Sequence, residues 1–247
     1  MNDLNHKRAT TTSFGNVAGS YLDSDVHQSG VDLELLASWC DGANRVLDIA
    51  CGAGHTAAAL QKNAKTVLAA DATPEMVETA TEAFALPGTV ADAERLPFAD
   101  GSFDAVTCRI AAHHFPNPRA FVNEGARILS PGGVFAFEDN VAPEDELTDF
   151  YNRFERLRDA THGEAYSAAQ WLEWFREAGF TIDEVATMRK ELEYESWVER
   201  TNPDERSREK LAELVRKPEA ETVYDVSIED GTVRGFSNEK VLIRAEK

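Results

Sequence analysis

The chain lacks any stretch of about 20 uninterrupted apolar residues, which is the length that a membrane-spanning helix needs. Its first twenty residues are polar and rich in Thr and Ser, so they lack the apolar core of a signal peptide. Cysteine is also scarce: Cys40, Cys51 and Cys108 form no CxxC pair, and no metal-ligand spacing occurs anywhere. These absences predict a cytoplasmic protein that has reduced thiols, binds no metal and does not insert into a membrane.

Basic residues are few, because 25 Lys and Arg face 44 Asp and Glu and leave a formal net charge of -19 at pH 7. No basic run is longer than two or three residues, and a surface this acidic repels phosphate backbones and anionic lipids. We therefore expect neither nucleic acid nor a membrane surface as a partner. Lys is especially rare, and acid-rich, Lys-poor surfaces suit a cytosol of high salt, where screening weakens self-repulsion. Two interpretations stay open: a halophilic protein, or an acidic protein from a mesophile.

The composition is otherwise that of a folded globular protein, with 43% hydrophobic and 28% charged residues in 247. Between residues 45 and 138, short apolar runs alternate with helical patterns. We expect strands at 45–50, 66–70, 89–91, 103–109 and 134–138, and helices at 31–39, 56–61, 74–84 and 118–129. This alternation predicts an α/β fold, a doubly wound (Rossmann-like) and mostly parallel sheet that binds ligands at the carboxyl ends of its strands.

The last part of the chain follows a different pattern, in which charged helical segments precede a hairpin. We expect helices at 144–160, 168–178 and 205–217, and strands at 180–187, 223–228 and 232–245, the last two joined at Asp230-Gly231. The last strand would then be antiparallel to an otherwise parallel sheet. Residues 1–20 have no apolar periodicity and are expected to form a flexible arm, followed by a single domain at 21–247. Within that domain we expect a binding core at 43–140, a helical substrate insertion or lid at about 143–205, and a C-terminal helix and hairpin at 205–247.

Acidic residues stand at the ends of three successive predicted strands: Asp48, Asp71 and Asp92. The first strand runs into a turn in which Gly52 and Gly54 allow a ligand to approach the backbone closely. This turn also fits the GxGxxG/A pattern of dinucleotide-binding proteins, but Asp48 would repel a pyrophosphate placed there. Asp71 suits the two hydroxyls of a ribose, and Asp92 with the N–H of Ala93 suits an adenine edge. Three acids without a phosphate site indicate an adenosine joined to a cation, which is S-adenosylmethionine (SAM).

The chain resembles the class I SAM-dependent methyltransferases in four segments that keep the order and spacing of that family's motifs: VLDIACGAGHTA, LAADATPEMVETA, ADAERLPFADGSFDAVTCR and ARILSPGGVFAFED. These segments lie within residues 45–139. The chain is most similar to the small-molecule branch that includes the quinone-biosynthesis C-methyltransferases. The stretches RIAAHHFPNP and EDGTVRGF, together with residues 21–32, are also similar to a group of bacterial relatives that have no assigned substrate.

This resemblance implies a cofactor site at the strand ends. The methionine half of SAM would contact Ala50, Gly52, Ala53 and Gly54, with Asp48 near its amino group. Asp71 would hold the ribose hydroxyls, and Arg109 would contact the cofactor through its backbone. Around the adenine, Ala72 and Met76 would flank the ring, and Asp92 and Ala93 would bind its edge. The quinone enzymes usually have Thr or Ser where this chain has Ala53 and Arg109, so its cofactor affinity would depend more on backbone contacts.

Two histidines, His113 and His114, follow the fourth predicted strand, where the methyl group would point. One of them would deprotonate or orient an acceptor, since a neutral imidazole suits that role near pH 7. The alternative is that one packs in the core and the other is solvated. Tyr21 and His27 belong to an N-terminal segment that would fold over the cofactor, and the alternative for both is plain surface packing.

Three functions compete for these motifs. We expect an enzyme, a SAM-dependent methyltransferase that acts as a monomer or homodimer on a small-molecule acceptor, quinone-like or aromatic. The alternative is a non-catalytic module that binds SAM or its demethylated product, S-adenosylhomocysteine (SAH). A third function, an NAD-dependent oxidoreductase, is disfavoured because it would leave Asp48, Asp92 and Ala93 without a role.

Overall fold

An eight-stranded sheet forms the centre of the computed structural model, which describes residues 2–22 and 28–247. The parallel strands are β1 (Arg45–Ile49), β2 (Thr66–Asp71), β3 (Gly88–Val90), β4 (Phe103–Arg109) and β5 (Leu129–Asn140). The antiparallel strands are β6 (Thr181–Glu193), β7 (Ser227–Glu229) and β8 (Thr232–Glu246). Their order is β3-β2-β1-β4-β5-β8-β6, with β7 paired to β8. The predicted fold class is confirmed, including the last strand, which runs antiparallel to β5.

Helices cover both faces of this sheet, because successive residues of a buried strand point to opposite sides. On β1, Leu47 and Ile49 pack in one core with residues of α6 (Pro118–Ile128) and α8 (Ala168–Glu177). Val46, which precedes Leu47, packs on the opposite face in another core with residues of α3 (Val31–Ser38), α4 (His55–Leu60) and α5 (Pro74–Phe84). With both faces covered, the edge formed by the carboxyl ends of the parallel strands is where a ligand can approach the sheet.

A separate helical group packs against the first half of β8. It consists of α7 (Thr148–Arg158), α9 (Tyr194–Glu199), α10 (Glu205–Leu214) and α11 (Pro218–Tyr224). These helices meet around an aromatic cluster in which Phe154 lies 5.5 Å from Trp197 and 4.9 Å from Tyr224, measured between ring centroids. Phe236 of β8 closes the cluster at 4.7 Å from Trp197. The cluster therefore fixes these helices beside the carboxyl ends of β4 and β5.

The structure corrects the prediction for the end of the chain. Residues 223–228 do not form a strand: α11 extends to Tyr224, and only the short β7 precedes the turn. Val223 and Tyr224 have strand propensity, but with Ala220 they form one buried helical face against the aromatic cluster, and this packing decides the conformation. The hairpin at Asp230-Gly231 is confirmed, and both residues have the positive φ angles, 50° and 75°, that its tight turn requires.

The N-terminal arm contains two helices that its sequence pattern did not indicate. They are α1 (Asp3–Gly15) and α2 (Ala18–Leu22). The arm lacks apolar periodicity because α1 buries no residue completely and is attached by polar contacts and rings instead. Its predicted flexibility stays a prediction. No helix among residues 2–22 and 28–247 combines the length and the apolar character that crossing a bilayer requires.

Candidate active site

A cleft of about 1030 Å³ opens at the carboxyl ends of β1 to β4. Its wall brings together most of the predicted site residues: Tyr21, Ala50, Gly52, Ala53, Asp71, Ala72, Met76, Asp92, Ala93, Arg109 and His114. Asp48, Gly54 and His113 lie outside this wall, and His27 lies outside the described residues. We call this cleft the first cavity. Its size is in the range of small-molecule and cofactor sites.

The turn between β1 and α4 forms the floor of the first cavity. Ala50, Gly52 and Gly54 all have positive φ angles, 53°, 52° and 93°. A Cβ atom on Gly54 would come within 2.7 Å of Ala80 Cβ, so this glycine allows α4 to pack against α5. A Cβ atom on Gly52 would meet no protein atom within 4 Å. The two predicted glycines therefore have different functions: Gly54 serves helix packing, and Gly52 leaves the cavity floor open.

Asp71 links this turn to the end of β2. Its Oδ2 accepts a hydrogen bond from Gly52 N at 3.0 Å, and its Oδ1 accepts one from Thr73 N at 2.8 Å. Thr73 is the N-cap residue of α5, as predicted, although its own side chain makes no capping bond. Burial raises the pKa of Asp71 and outweighs these backbone donors. Each carboxylate oxygen keeps a lone pair with which it can accept from a ligand hydroxyl.

Asp48 lies beneath the same turn, where it is almost completely buried. Its Oδ1 accepts a hydrogen bond from the Thr107 hydroxyl at 2.7 Å, whereas its Oδ2 has no hydrogen-bond partner among the described residues. Burial raises the pKa of Asp48 to about 7, against the opposing effect of Thr107. An unpaired buried carboxylate is costly unless a cation compensates it. The first cavity and this orphaned oxygen therefore fit a ligand with ribose, adenine and a positive charge, as SAM has.

Asp92 is held by the N-terminal arm. Lys7 Nζ of α1 lies 2.7 Å from Asp92 Oδ2 and 2.6 Å from Glu94 Oε2. Burial by itself would lower the pKa of Lys7, but the two carboxylates have the larger effect, so the net result is a raised pKa. Thr10, Thr11 and Phe14 of α1 also line the first cavity. The sequence did not indicate these four residues, because a polar helix without an apolar stripe gives no sign of what it covers.

Arg109 ends β4 at the first cavity, but its guanidinium belongs to a buried ionic network. Its Nη2 lies 2.5 Å from Asp32 Oδ2, and its Nε lies 3.0 Å from Glu138 Oε2. Lys240 Nζ lies 2.8 Å from Glu138 Oε1, and Lys190 Nζ lies 3.5 Å from Asp32 Oδ2. The quinone enzymes usually have Thr or Ser where this chain has Arg109. The network accounts for this difference, since the Arg109 side chain joins α3 to the sheet.

His113 forms a dyad with Asp139 directly after β4. Its Nδ1 lies 2.6 Å from Asp139 Oδ1, and its backbone N–H donates to Asp139 Oδ2 at 2.8 Å. Burial lowers the pKa of His113, but the Asp139 carboxylate outweighs it, so the pKa is raised. Within the described part of the chain, His113 Nε2 has no hydrogen-bond partner. This arrangement orients an imidazole whose second nitrogen can accept a proton.

His114 lies between the dyad and the first cavity. Its Nδ1 donates to the carbonyl oxygen of Thr161 at 2.9 Å, and its ring centroid lies 4.2 Å from that of His113. Burial and the neighbouring His113 lower the pKa of His114 to about 4. His114 is therefore neutral at physiological pH.

A second cavity of about 640 Å³ adjoins the first. The two share Phe14, Tyr21, Ile110 and His114 in their walls. Its remaining wall comes from β4 and β5 ends, from α7 and α9, and from β6 and β8: His113, Asn140, Glu155, Arg158, Asp159, Lys190, Leu192, Trp197, Arg200, Asn238 and Lys240. Sequence reasoning missed this cavity, because its walls come from distant segments.

In residues 2–22 and 28–247, no group of three or more His, Cys, Asp or Glu side chains is placed to hold a metal ion.

The doubly wound sheet, its glycine turn and the acidic strand ends around one cleft are the features of a class I SAM-dependent methyltransferase. The family model described as "Methyltransferase domain" (Methyltransf_11) matches residues 47–137. The uncharacterised methyltransferase YcgJ of Bacillus subtilis is 36% identical over 249 residues, which cover 96% of this chain and 98% of YcgJ. The chain therefore belongs to this methyltransferase family, and its cofactor is SAM.

Two further comparisons extend this result. The structure of a candidate methyltransferase from Bacillus halodurans C-125 is 36% identical, with a TM-score of 0.83, and covers 88% of this chain and 99% of that one. A ubiquinone biosynthesis O-methyltransferase of Xanthomonas axonopodis pv. citri is 28% identical over 87% of this chain and 96% of its own length. The resemblance to quinone-biosynthesis enzymes is thereby confirmed.

Proposed function

We propose that this protein transfers the methyl group of SAM to a small-molecule acceptor, and that it binds the two molecules in two adjoining sites. The observation that carries the proposal is the contact between the first and second cavities at Ile110 and His114. A SAM-binding module without activity would need only the first cavity. Bound SAM supplies a methyl group activated by the sulfonium, so the protein contributes chiefly alignment and exclusion of water.

The first cavity would hold the cofactor through the residues that line it. Asp71, fixed by two backbone donors, would accept the ribose hydroxyls, and the turn at Ala50, Gly52 and Ala53 would contact the methionine half. Asp48 would stabilise the ammonium group through its unpaired Oδ2, with Gly54 in a purely structural role. The remaining contacts to the adenine and methionine parts would come from Ala72, Met76, Asp92, Ala93 and the backbone of Arg109. Tyr21 would cover the bound cofactor.

The second cavity would hold the acceptor, and His113 would be its general base. Its Nε2 is unpaired and its Nδ1 is fixed by Asp139, so the ring can take a proton from an acceptor hydroxyl. His114, neutral and at the junction, would orient the acceptor. The aromatic rings of Phe14, Tyr21 and Trp197 in the wall support an aromatic acceptor. The ubiquinone biosynthesis O-methyltransferase among the relatives supports a quinone-like one.

The proposal is tested by measuring SAH formation from SAM with a panel of catechols, hydroquinones and hydroxybenzoates. We expect turnover with at least one hydroxylated aromatic compound, and a fall in kcat of about 100-fold in His113→Gln, the usual contribution of a general base. An Arg206→Gln variant serves as the control, because Arg206 is exposed on α10 and lines neither cavity. SAM binding without SAH formation from any acceptor would favour the non-catalytic module.

The cellular setting of this reaction is part of the proposal. We place it in the reducing cytoplasm, which the three free, buried cysteines support. The proposed assembly is a monomer or homodimer, and light scattering with size-exclusion chromatography measures it directly.

A further inference from the structure

Among the described residues, Arg158 and Arg200 of the second cavity have guanidinium nitrogens without a carboxylate partner. Arg158 ends α7, with 11% of its side chain exposed and its guanidinium carbon 4.7 Å from the centroid of the Trp197 ring. Its Nε is buried and has no hydrogen-bond partner in the described residues. Arg200, which follows α9, has no carboxylate within 4.0 Å in the same residues.

The acidic groups of this cavity neutralise these arginines only in part. Glu155 lies 3.4 Å from Arg158 Nη2, and the Glu155 and Asp159 carboxylates outweigh burial and raise the pKa of Arg158, but no carboxylate of the described residues lies within 4.0 Å of Arg200. Asp159 uses its Oδ1 to accept from both the backbone N–H and the hydroxyl of Thr161. Lys190 and Lys240 line the same cavity, but Asp32 and Glu138 pair with them. The two guanidinium groups are therefore the cations that a ligand can engage.

The positive charges of the two guanidinium groups also interact with each other, because both groups are partly buried. Burial lowers the pKa of Arg200, and the nearby positive charge of Arg158 lowers it further. The two positive charges therefore repel each other across this cavity, and an anion bound between them would reduce that repulsion. Guanidinium groups bind carboxylates through paired, parallel hydrogen bonds, which a neutral amide or ester cannot reproduce.

We propose that the methyl acceptor is an aromatic hydroxy acid whose carboxylate binds Arg158 and Arg200 and whose hydroxyl faces His113. This inference rests on the proposed function and specifies its substrate class. The rings of Phe14, Tyr21 and Trp197 enclose the aromatic part. The side-chain carbonyl of Asn140, which is buried and has no partner, accepts a hydrogen bond from a second hydroxyl.

The reaction on such an acceptor balances without a further reactant. The hydroxyl gives its proton to His113 Nε2, and its oxygen supplies the electron pair of the new O–CH₃ bond. The electron pair of the broken S–CH₃ bond stays on sulfur, which leaves neutral SAH. The acceptor's carboxylate keeps its charge throughout, so its contacts with the arginines serve binding and alignment.

The test compares 3,4-dihydroxybenzoate with its neutral counterpart 3,4-dihydroxybenzamide, titrated by calorimetry into the protein saturated with SAH. We expect the benzoate to bind at least 10-fold more tightly than the benzamide. In Arg200→Gln this preference should fall to less than about 3-fold, and Arg200→Lys should restore part of it. The control is Arg206→Gln, which removes an exposed arginine of α10 and should leave the preference unchanged. Arg200 does not line the first cavity, so SAH affinity should be equal in all four proteins.

Equal binding of the two probes, a preference unaffected by Arg200→Gln, or binding of neither probe would overturn the inference. SAH formation with neutral catechol, assayed in parallel, tests the proposed function separately from the substrate class. Turnover of catechol without a binding preference for the acid would support the methyltransferase function and contradict the hydroxy-acid substrate class. Absence of turnover with every acceptor, despite tight SAH binding, removes both.

Discussion

Individual residues around the first cavity are held in backbone conformations that side chains usually avoid. Ala50, at the carboxyl end of β1, has φ 53°, and Ile110, just after β4, has φ 54°. A left-handed conformation costs a non-glycine residue roughly 1–2 kcal/mol. Both residues lie in cavity walls, Ile110 at the junction of the two cavities. At these two positions the strained backbone lies at strand ends in the cavity walls, which is a common feature of functional sites.

At Gly52 this geometry separates binding from stability. We expect Gly52→Ala to weaken SAM binding by at least about 10-fold, or about 1.4 kcal/mol, because the added Cβ projects into the first cavity. Its cost to folding should be only about 1–2 kcal/mol, because the Cβ meets no protein atom. Calorimetry with SAM and urea denaturation measure the two effects.

Gly42→Ala is the matched control for this experiment. Gly42 has φ 82°, and its added Cβ would also meet no atom within 4 Å, but it is not part of the cavity wall. The variant should lose similar stability and keep its SAM affinity. An equal loss of affinity in both variants would show that strain, and not occupation of the cavity, weakens binding.

The His113–Asp139 dyad makes the activity depend on pH. A general base must be neutral, and the pKa of His113 is raised above its ordinary value, so kcat should increase with pH and have its inflection above about 6.5. In Asp139→Asn the main counterion is lost, and burial then lowers the pKa of His113 against only the smaller opposing effect of Glu155. The inflection should therefore move to lower pH while kcat at its plateau falls, as a pH–rate profile with saturating SAM would record.

Other titratable groups also face the His113 ring: His114, Glu155, Arg158 and His162. Each remains in Asp139→Asn, so the comparison isolates the carboxylate. Identical inflections in the two proteins would mean that His113 is not the group that titrates.

At the scale of secondary-structure elements, five charges tie helix α3 to four strands. Asp32 comes from α3, Arg109 from β4, Glu138 from β5, Lys190 from β6 and Lys240 from β8. Asp32 and Glu138 are almost completely buried. Burial raises the pKa of Asp32, but the three cations outweigh it and hold the pKa well below its usual range. The stabilisation is therefore present above pH 3.8, the ordinary value, and is lost as the pH falls below it.

Asp32→Asn should lower the free energy of unfolding by about 3–5 kcal/mol, because Arg109, Lys190 and Lys240 would each lose the same carboxylate partner. Urea denaturation at pH 7 measures the change. The control is Asp183→Asn, which breaks a partly exposed pair with Arg244 and should cost less than about 1 kcal/mol. A cost below about 1 kcal/mol for Asp32→Asn as well would show that the network does not depend on this carboxylate.

The strands and helices along the parallel part of the chain could be predicted because each parallel strand carries its own signal. An apolar run such as that of β4, bounded by turn residues, specifies a buried strand without reference to the rest of the chain, and its bounds match the prediction. The helices α1 and α11 could not be predicted in the same way. Lys7 stabilises α1 through carboxylates more than 80 positions away, and α11 is selected by packing against Phe236.

At the scale of the whole molecule, the net charge of -19 is the dominant electrostatic feature. We expect the Tm to rise by about 5 °C or more between 0.1 M and 2 M KCl, because added salt shortens the range of self-repulsion from about 10 Å to about 3 Å. Differential scanning calorimetry measures the change, with sucrose of equal osmolality as the control for excluded-solute effects.

The shape of this salt dependence separates the two interpretations of the composition. Screening alone is nearly complete by about 1 M, so a mesophilic acidic protein should gain little beyond that concentration. A halophilic protein should continue to gain. A Tm that is constant or falls with KCl would contradict both, and would mean that repulsion between surface acids contributes nothing to unfolding.

The site divides at the same scale into a part that the sequence indicates and a part that it does not. Most residues of the first cavity follow directly after strands within 45–139, so local motifs locate them, whereas its α1 residues have no such motif. The second cavity joins Phe14, His113, Arg158 and Arg200, whose proximity depends on how α7 and α9 pack against β8. No local pattern encodes that packing. The cofactor was therefore predictable from the sequence, and the acceptor's surroundings required the structure.

The position of Phe14 and Tyr21 in the walls of both cavities has a kinetic consequence. An acceptor that packs against these rings restrains the same segment that covers the cofactor. We therefore expect the cofactor to leave only after the acceptor or its methylated product has left. Substrate addition should then be ordered, with SAM entering first and SAH leaving last, because the two cavities share these walls.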